Sequence, residues 1–274
     1  MKRCTISIVQ FESTLGPAAD GTLDRMAETI AAADADLVVF PELATTGYHV
    51  FDEVLEVAEP VPGPTTEVLG AAAADAGTEV LFGMPARDGD DVYNCAVWID
   101  ADGDVRARYD KRHLWGDEAT AYSAGDSYAV VDAPFGRVGI QICYDLNFPA
   151  ASAALARAEC DIVINISAWS VRMERDWHTL LPARAVEQGA YVIGCNRAGT
   201  EAGTTFCGHS TMIEPDGTTV VEMGAGAGQV AVTLDPGVVA AERARNPMRT
   251  DRPETDVDAT RYDSSRSSDC SKPI

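Results

Sequence analysis

Lysine is almost missing from this 274-residue chain. Of its 21 basic residues only Lys2, Lys111 and Lys272 are lysine, and 43 Asp and Glu leave a formal net charge of −22. A field of that sign repels phosphate backbones, which excludes nucleic acid as a partner. Scarce lysine beside abundant acid is the composition of a halophile's protein, working in concentrated salt that screens self-repulsion over a few ångströms. An unusually acidic protein of dilute surroundings is the other reading left open. No run approaches the ~18–20 apolar residues of a membrane helix, so no membrane partner is expected. There is no GxGxxG or GxxxxGK loop to cradle a nucleotide's phosphates. The seven cysteines are an odd number with no CxxC pair, the pattern of reduced, buried thiols in a cytoplasmic protein. His49, His113, His178 and His209 show no HExxH or His/Cys ligand spacing, so neither a metal nor a cofactor is expected.

What is present is an α/β alternation in a chain whose 46% hydrophobic content is ordinary for a globular domain. The start, charged at Lys2 and Arg3, is broken by Gln10 and Glu12 too soon for a leader peptide, and Cys4–Val9 reads as a first strand. Strands are expected at 36–40, 79–84, 92–99, 105–109, 138–142, 161–166, 191–195 and 229–234. Helices are expected near 20–33, at 64–76 with Pro64 opening and Gly77 closing, at 149–158 and at 174–188. Asp102-Gly103 and Pro215-Asp216-Gly217 mark hairpin turns. Residues 1–246 form one domain in this reading, and 247–274, poor in apolar residues, form a tail that is disordered or laid across a partner.

Three residues stand out for chemistry. Lys111, in Tyr109-Asp110-Lys111-Arg112-His113-Leu114, persists where arginine has replaced nearly every other lysine. It offers a compact ammonium on a flexible stem, although a chance survivor in a surface loop fits the same facts. Cys143 closes the buried run Gly139-Ile140-Gln141-Ile142, where a strand-to-helix turn can present a nucleophile beside backbone N–H donors. A core thiol is the plainer reading of it. Glu42, just past the strand ending at Phe40, lies where α/β folds put their sites; desolvated it suits general base work, exposed it is one more acidic loop residue.

Together these segments resemble the nitrilase superfamily, the carbon–nitrogen hydrolases. The resemblance runs through Phe40-Pro41-Glu42-Leu43 with Thr46-Gly47-Tyr48, the Lys111 motif, and Gly139 to Asp145. Asn165-Ile166-Ser167-Ala168-Trp169, Trp177-His178, Ala183-Arg184-Ala185-Val186-Glu187 and Gly208-His209-Ser210 extend it. It implies Glu42 as general base, Lys111 as cationic stabiliser, Cys143 as nucleophile and Glu118 as a second glutamate positioning Lys111. An oxyanion would be held by Lys111 and the Tyr144 backbone N–H. The implied fold is a four-layer α-β-β-α sandwich, and the implied activity is hydrolysis of a small amide to acid and ammonia through a Cys143 thioester. Members commonly form dimers, and the Arg249–Glu254 stretch would be an arm reaching the partner subunit.

Tyr144-Asp145 after the cysteine resembles the amidase and N-carbamoyl branches, where true nitrilases usually have Trp-Glu. Two positions depart from those branches: Asn147 replaces an arginine and Ala150 a glutamate. Asn147 is therefore expected to contact a neutral substrate end, which makes an N-carbamoyl amino acid the second choice. Tyr48, Trp115, Ser167, Ala168 and Trp169 are the remaining candidate substrate contacts. A member that binds a small molecule without catalysis is the rival of another class, and intact Glu42, Lys111 and Cys143 argue against it.

Overall fold

Runs without polar alternation become the central strands. Leu37–Val39, Ile162–Ser167 and Tyr191–Asn196 are buried along their whole length, as strands covered on both faces must be. The computed structural model describes residues 1–16 and 21–251. Two six-stranded sheets form its centre. The first orders Gly228–Leu234, Cys4–Gln10, Leu37–Val39, Glu79–Asp88, Asp91–Ile99 and Val105–Asp110. The second orders Thr219–Glu222, Thr211–Ile213, Tyr191–Asn196, Ile162–Ser167, Gly136–Ile142 and Ala129–Ala133. In each, three central strands run parallel and the flanking pairs are antiparallel.

The period-2 pleat sorts the side chains of the first sheet. Leu37, Val39 and Leu81 join Ile140, Ile142, Ile164 and Ile193 in the core shared by the two sheets. Their neighbours Val38, Phe40, Val80 and Phe82 point the other way, onto Met26 and Ile30 of the helix Thr22–Ala31 and Leu69 of the helix Pro64–Ala76. Helices Pro149–Arg157 and Glu174–Gln188 cover the second sheet through Leu155, Leu181 and Ala185. The result is the four-layer α-β-β-α sandwich.

Helix ends follow the punctuation of the sequence. Pro64 occupies the first turn and Gly77, at φ 64°, closes the helix in the left-handed conformation glycine favours. Gly189 at φ 54° does the same for Glu174–Gln188. Among the elements not anticipated are a strand and a helix. Ala129–Ala133 is a five-residue strand at the edge of the second sheet, with Asp132 exposed. The helix Pro236–Arg245 starts from Asp235, whose side chain accepts from the Gly237 N–H; Gly237 and three arginine or glutamate residues in its last turn hide its apolar face. Pro247–Arg249 forms a short 3₁₀ turn, and the Arg249 guanidinium donates to the Ala156 carbonyl at 3.2–3.3 Å. Most of the expected tail and arm, from residue 252 on, lies outside the described residues.

Candidate active site

The parallel strands of both sheets end at one place, the position α/β folds use for sites. Phe40 still donates to Leu81 at 2.8 Å, and Pro41 then releases the chain so that Glu42 turns inward. Gly83 is needed here: a Cβ on it would come within 2.7 Å of the Glu42 Cα. Lys111 donates its backbone N–H to Asn94 at 2.8 Å, one residue past the strand ending at Asp110. Cys143 follows Ile142 directly and sits at φ 45°, unusual for a residue with a Cβ. Ala168 follows Ser167 at the end of its strand.

Glu42, Lys111 and Glu118 are completely buried. Lys111 Nζ donates to Glu42 Oε1 at 2.6 Å and to Glu118 Oε1 at 2.7 Å. The same Glu42 oxygen accepts from Asn94 Nδ2 at 2.7 Å, while Oε2 accepts from the Ala168 N–H at 2.8 Å. Glu118 also accepts from the Tyr48 hydroxyl at 2.8 Å and from the Trp115 N–H at 2.9 Å. Burial draws the Lys111 ammonium down, but Glu118 and Glu42 outweigh it and hold the group well above the ordinary lysine value. Burial raises Glu118, with Lys111 opposing. The cluster thus holds the Lys111 ammonium between the Glu42 and Glu118 carboxyl groups. An ammonium has three N–H donors, so one proton beyond those given to Glu42 and Glu118 is left for a substrate oxygen.

Cys143 lies beside this cluster. Burial first and Glu42 second push its thiol well above the ordinary value, Lys111 pulls the other way, and the Ala168 backbone also stabilises the thiolate. A base able to take that proton as the sulfur attacks is therefore the chemistry the arrangement can supply. Asp145, two residues on and fully buried, accepts from Ile142 N at 2.9 Å, Tyr109 Oη at 2.7 Å, His113 N at 3.1 Å and His113 Nδ1 at 2.7 Å. One carboxylate thereby ties the turn carrying Cys143 to the loop carrying Lys111.

Cys143 opens into a cavity of about 650 Å³ whose aromatic walls are Tyr48, Phe51, Trp115, Tyr144, Trp169 and Phe206. Such a volume suits a small molecule. A larger hollow of about 1140 Å³, lined by Met1, Phe135 and Gly136, opens at the amino ends of the strands, away from these groups. Of the expected substrate contacts, Tyr48, Trp115, Ala168 and Trp169 line the Cys143 cavity. Asn147 and Ser167 are not among the residues that line it. Ser167 is the last strand residue, buried, with its hydroxyl spent on Asn165 Oδ1 at 2.5 Å. Asn147 ends the 3₁₀ turn Cys143–Asn147 and its Oδ1 is buried away from the cavity wall.

Several residues were not foreseen. Asn94 reaches Glu42 from the neighbouring strand, and no motif marks it. Glu201 accepts from the backbone N–H groups of Tyr48 and His49 at 2.8 and 2.7 Å and from Arg197 at 2.8 Å. It thereby fixes the Tyr48 wall; Gly47, at φ 81°, leaves the room, since a Cβ there would meet Glu201 Oε2 at 2.5 Å. Glu201 belongs to the small hairpin of Thr200–Glu201 and Thr204–Thr205, whose turn at Ala202–Gly203 lines the cavity.

Comparison with known proteins gives one family. The carbon–nitrogen hydrolase family model matches residues 5–244. The chain is 34% identical over 237 residues to a hydrolase encoded in the pqqF 5′ region of Pseudomonas protegens, covering 85% of this chain and 83% of that one. It is 32% identical over 233 residues to an (R)-stereoselective amidase of a Pseudomonas species, covering 84% of each. The crystal structure of a CN-hydrolase superfamily protein from Xanthomonas campestris superposes with a TM-score of 0.85 at 29% identity, covering 94% of this chain and all of that one.

Proposed function

The chain belongs to the carbon–nitrogen hydrolase family, and from that premise we propose that it hydrolyses a small amide to acid and ammonia through a thioester on Cys143. The observation that carries this reading is the buried Glu42–Lys111–Glu118 cluster set directly behind Cys143, which among the described residues is the cysteine lining the cavity. Glu42 takes the thiol proton while Sγ bonds to the carbonyl carbon and the carbonyl π pair moves to oxygen. The third Lys111 proton and the Tyr144 N–H hold that oxyanion, each donor contributing about 10²–10³ in rate. Glu42 then protonates the leaving nitrogen as the C–N bond breaks. Water, deprotonated by Glu42, attacks the thioester; the acid departs and the thiol recovers its proton.

In this scheme Glu118 transfers no proton. It orients Lys111 and the Tyr48 hydroxyl, and Ala168 holds Glu42 through its backbone N–H rather than touching substrate with its methyl group alone. Preference for simple amides over N-carbamoyl compounds rested on Asn147, which stands outside the cavity, so both classes belong in the test. The experiment is a panel of aliphatic, aromatic and carbamoyl amides assayed for ammonia with the parent protein and with Cys143→Ala. Turnover of at least one amide, lost in the variant, is expected. A panel that yields neither ammonia nor acylated Cys143 would favour a binding protein that keeps the fold. A halophilic, cytoplasmic homodimer remains part of this proposal; among the described residues no helix is long and apolar enough to cross a membrane.

A further inference from the structure

Glu174 and His178 stand one turn apart on the helix Glu174–Gln188, on the same face. His209 reaches them from the loop before Thr211–Ile213, and Glu222 from the end of Thr219–Glu222. Glu174 Oε1 lies 3.7 Å from His178 Nε2 and 3.5 Å from His209 Nε2. On the far side of the rings, the Glu222 oxygens lie 3.3 Å from His178 Nδ1 and 3.4 Å from His209 Nδ1. One ligand atom from each of Glu174, His178 and His209 falls within 4.8 Å of the other two.

At 3.3–3.7 Å these contacts are longer than ordinary hydrogen bonds. A neutral imidazole has one N–H and one lone pair, and a carboxylate only accepts. The two rings lie with centroids 5.1 Å apart. His209 is moreover fixed in place: it sits at φ 52°, its carbonyl accepts from Trp177 Nε1 at 2.9 Å, and its buried Nδ1 makes no hydrogen bond.

We propose that Glu174, His178 and His209 bind a divalent transition-metal ion of the zinc class, with Glu222 orienting both imidazoles. A cation between Glu174 Oε1 and the two Nε2 atoms takes a lone pair from each ring and leaves Glu222 on the Nδ1 side, 3.3 and 3.4 Å away, placed to orient the rings as in carboxylate–histidine–metal sites. Imidazole and carboxylate donors suit Zn²⁺, with water as the fourth ligand. Tetrahedral bonds of about 2.0–2.1 Å give ligand separations of about 3.3–3.5 Å, close to the two measured here. Glu174 follows Met173, which lines the Cys143 cavity and whose carbonyl accepts from Trp169 Nε1 at 2.7 Å. The ion clips that wall to the His209 loop and the Glu222 hairpin.

The test uses the full chain with Cys143→Ala, which removes the cavity thiol as a competing ligand, stripped with chelator and titrated with Zn²⁺. One ion per chain and a rise in Tm are expected, and Co²⁺ in its place should give the visible absorption of a tetrahedral N/O site. His178→Ala with His209→Ala should lose the binding while keeping the Tm of the stripped parent. Glu222→Gln should keep the stoichiometry and bind roughly 10–100-fold more weakly. Unchanged zinc binding in the double variant, or no zinc bound by the parent, would overturn the proposal.

Discussion

The Asp145 carboxylate binds His113 twice through one oxygen, taking the backbone N–H at 3.1 Å and ring Nδ1 at 2.7 Å. Its other oxygen takes Tyr109 and Ile142. Tyr109 and His113 bracket Lys111, and Ile142 precedes Cys143, so the relation sets the distance between cation and thiol. His113 is held flat as well, stacked on Phe148 with centroids 3.6 Å apart.

Asp145→Asn should therefore act at a distance from substrate. Asparagine keeps one acceptor oxygen and turns an NH₂ toward donors, leaving buried N–H or O–H groups unpaired at a cost of about 1–3 kcal/mol each. Activity should fall about 100-fold through misplacement of Lys111, mainly in kcat, with a lowered Tm. Steady-state kinetics beside thermal melting checks this, and an unimpaired kcat would contradict it.

Lys111→Met leaves two buried carboxylates facing each other without their cation. Losing one partner of a buried pair typically costs about 3–5 kcal/mol, and ammonia release should vanish. The pH dependence has a definite sign. Burial already raises Glu118 and Lys111 opposes it, so in the variant the folded-state value rises further above the unfolded one. Stability is then present at low pH and lost as pH rises through that folded-state value. Chemical denaturation of both proteins at several pH values should show the gap shrinking toward acid; a constant gap would contradict this.

Much of this was legible in the chain. Pro64 and Gly77 bound their helix because ring closure and left-handed backbone are local properties that need no tertiary knowledge. Glu42 and Cys143 were readable because each follows an apolar run, and Lys111 because lysine is otherwise nearly absent from the chain. Asn94 and Asp145 acquire their importance only when neighbouring strands and loops meet, and no local pattern carries that. That Asn147 and Ser167 stand off the cavity lining was hidden for a related reason: proximity in sequence to Cys143 and Ala168 does not say which way a side chain leaves a turn or a pleat. The Glu174–His178–His209–Glu222 cluster was hidden likewise, since its members come from three separate elements.

Cys143 should behave as a neutral thiol in the free enzyme, because burial and Glu42 hold its value well above normal. Its alkylation by iodoacetamide, followed by mass spectrometry, should keep rising with pH beyond about 8.5, the ordinary thiol value. A plateau already reached near neutrality would show a preformed thiolate.

Salt should stabilise the protein. With a net charge of −22, self-repulsion weakens as the Debye length falls from about 10 Å at 0.1 M to about 3 Å at 1 M. Melting in KCl across that range should show Tm climbing and activity following; full activity and a flat Tm in dilute buffer would refute it.

The covalent role of Cys143 is tested most directly by intact-protein and peptide mass spectrometry during turnover of an amide, run beside Cys143→Ala with ammonia measured in both. An acyl mass on the peptide containing Cys143, with ammonia released by the parent and not by the variant, is the expected result. Undiminished ammonia release by Cys143→Ala would contradict the thioester route.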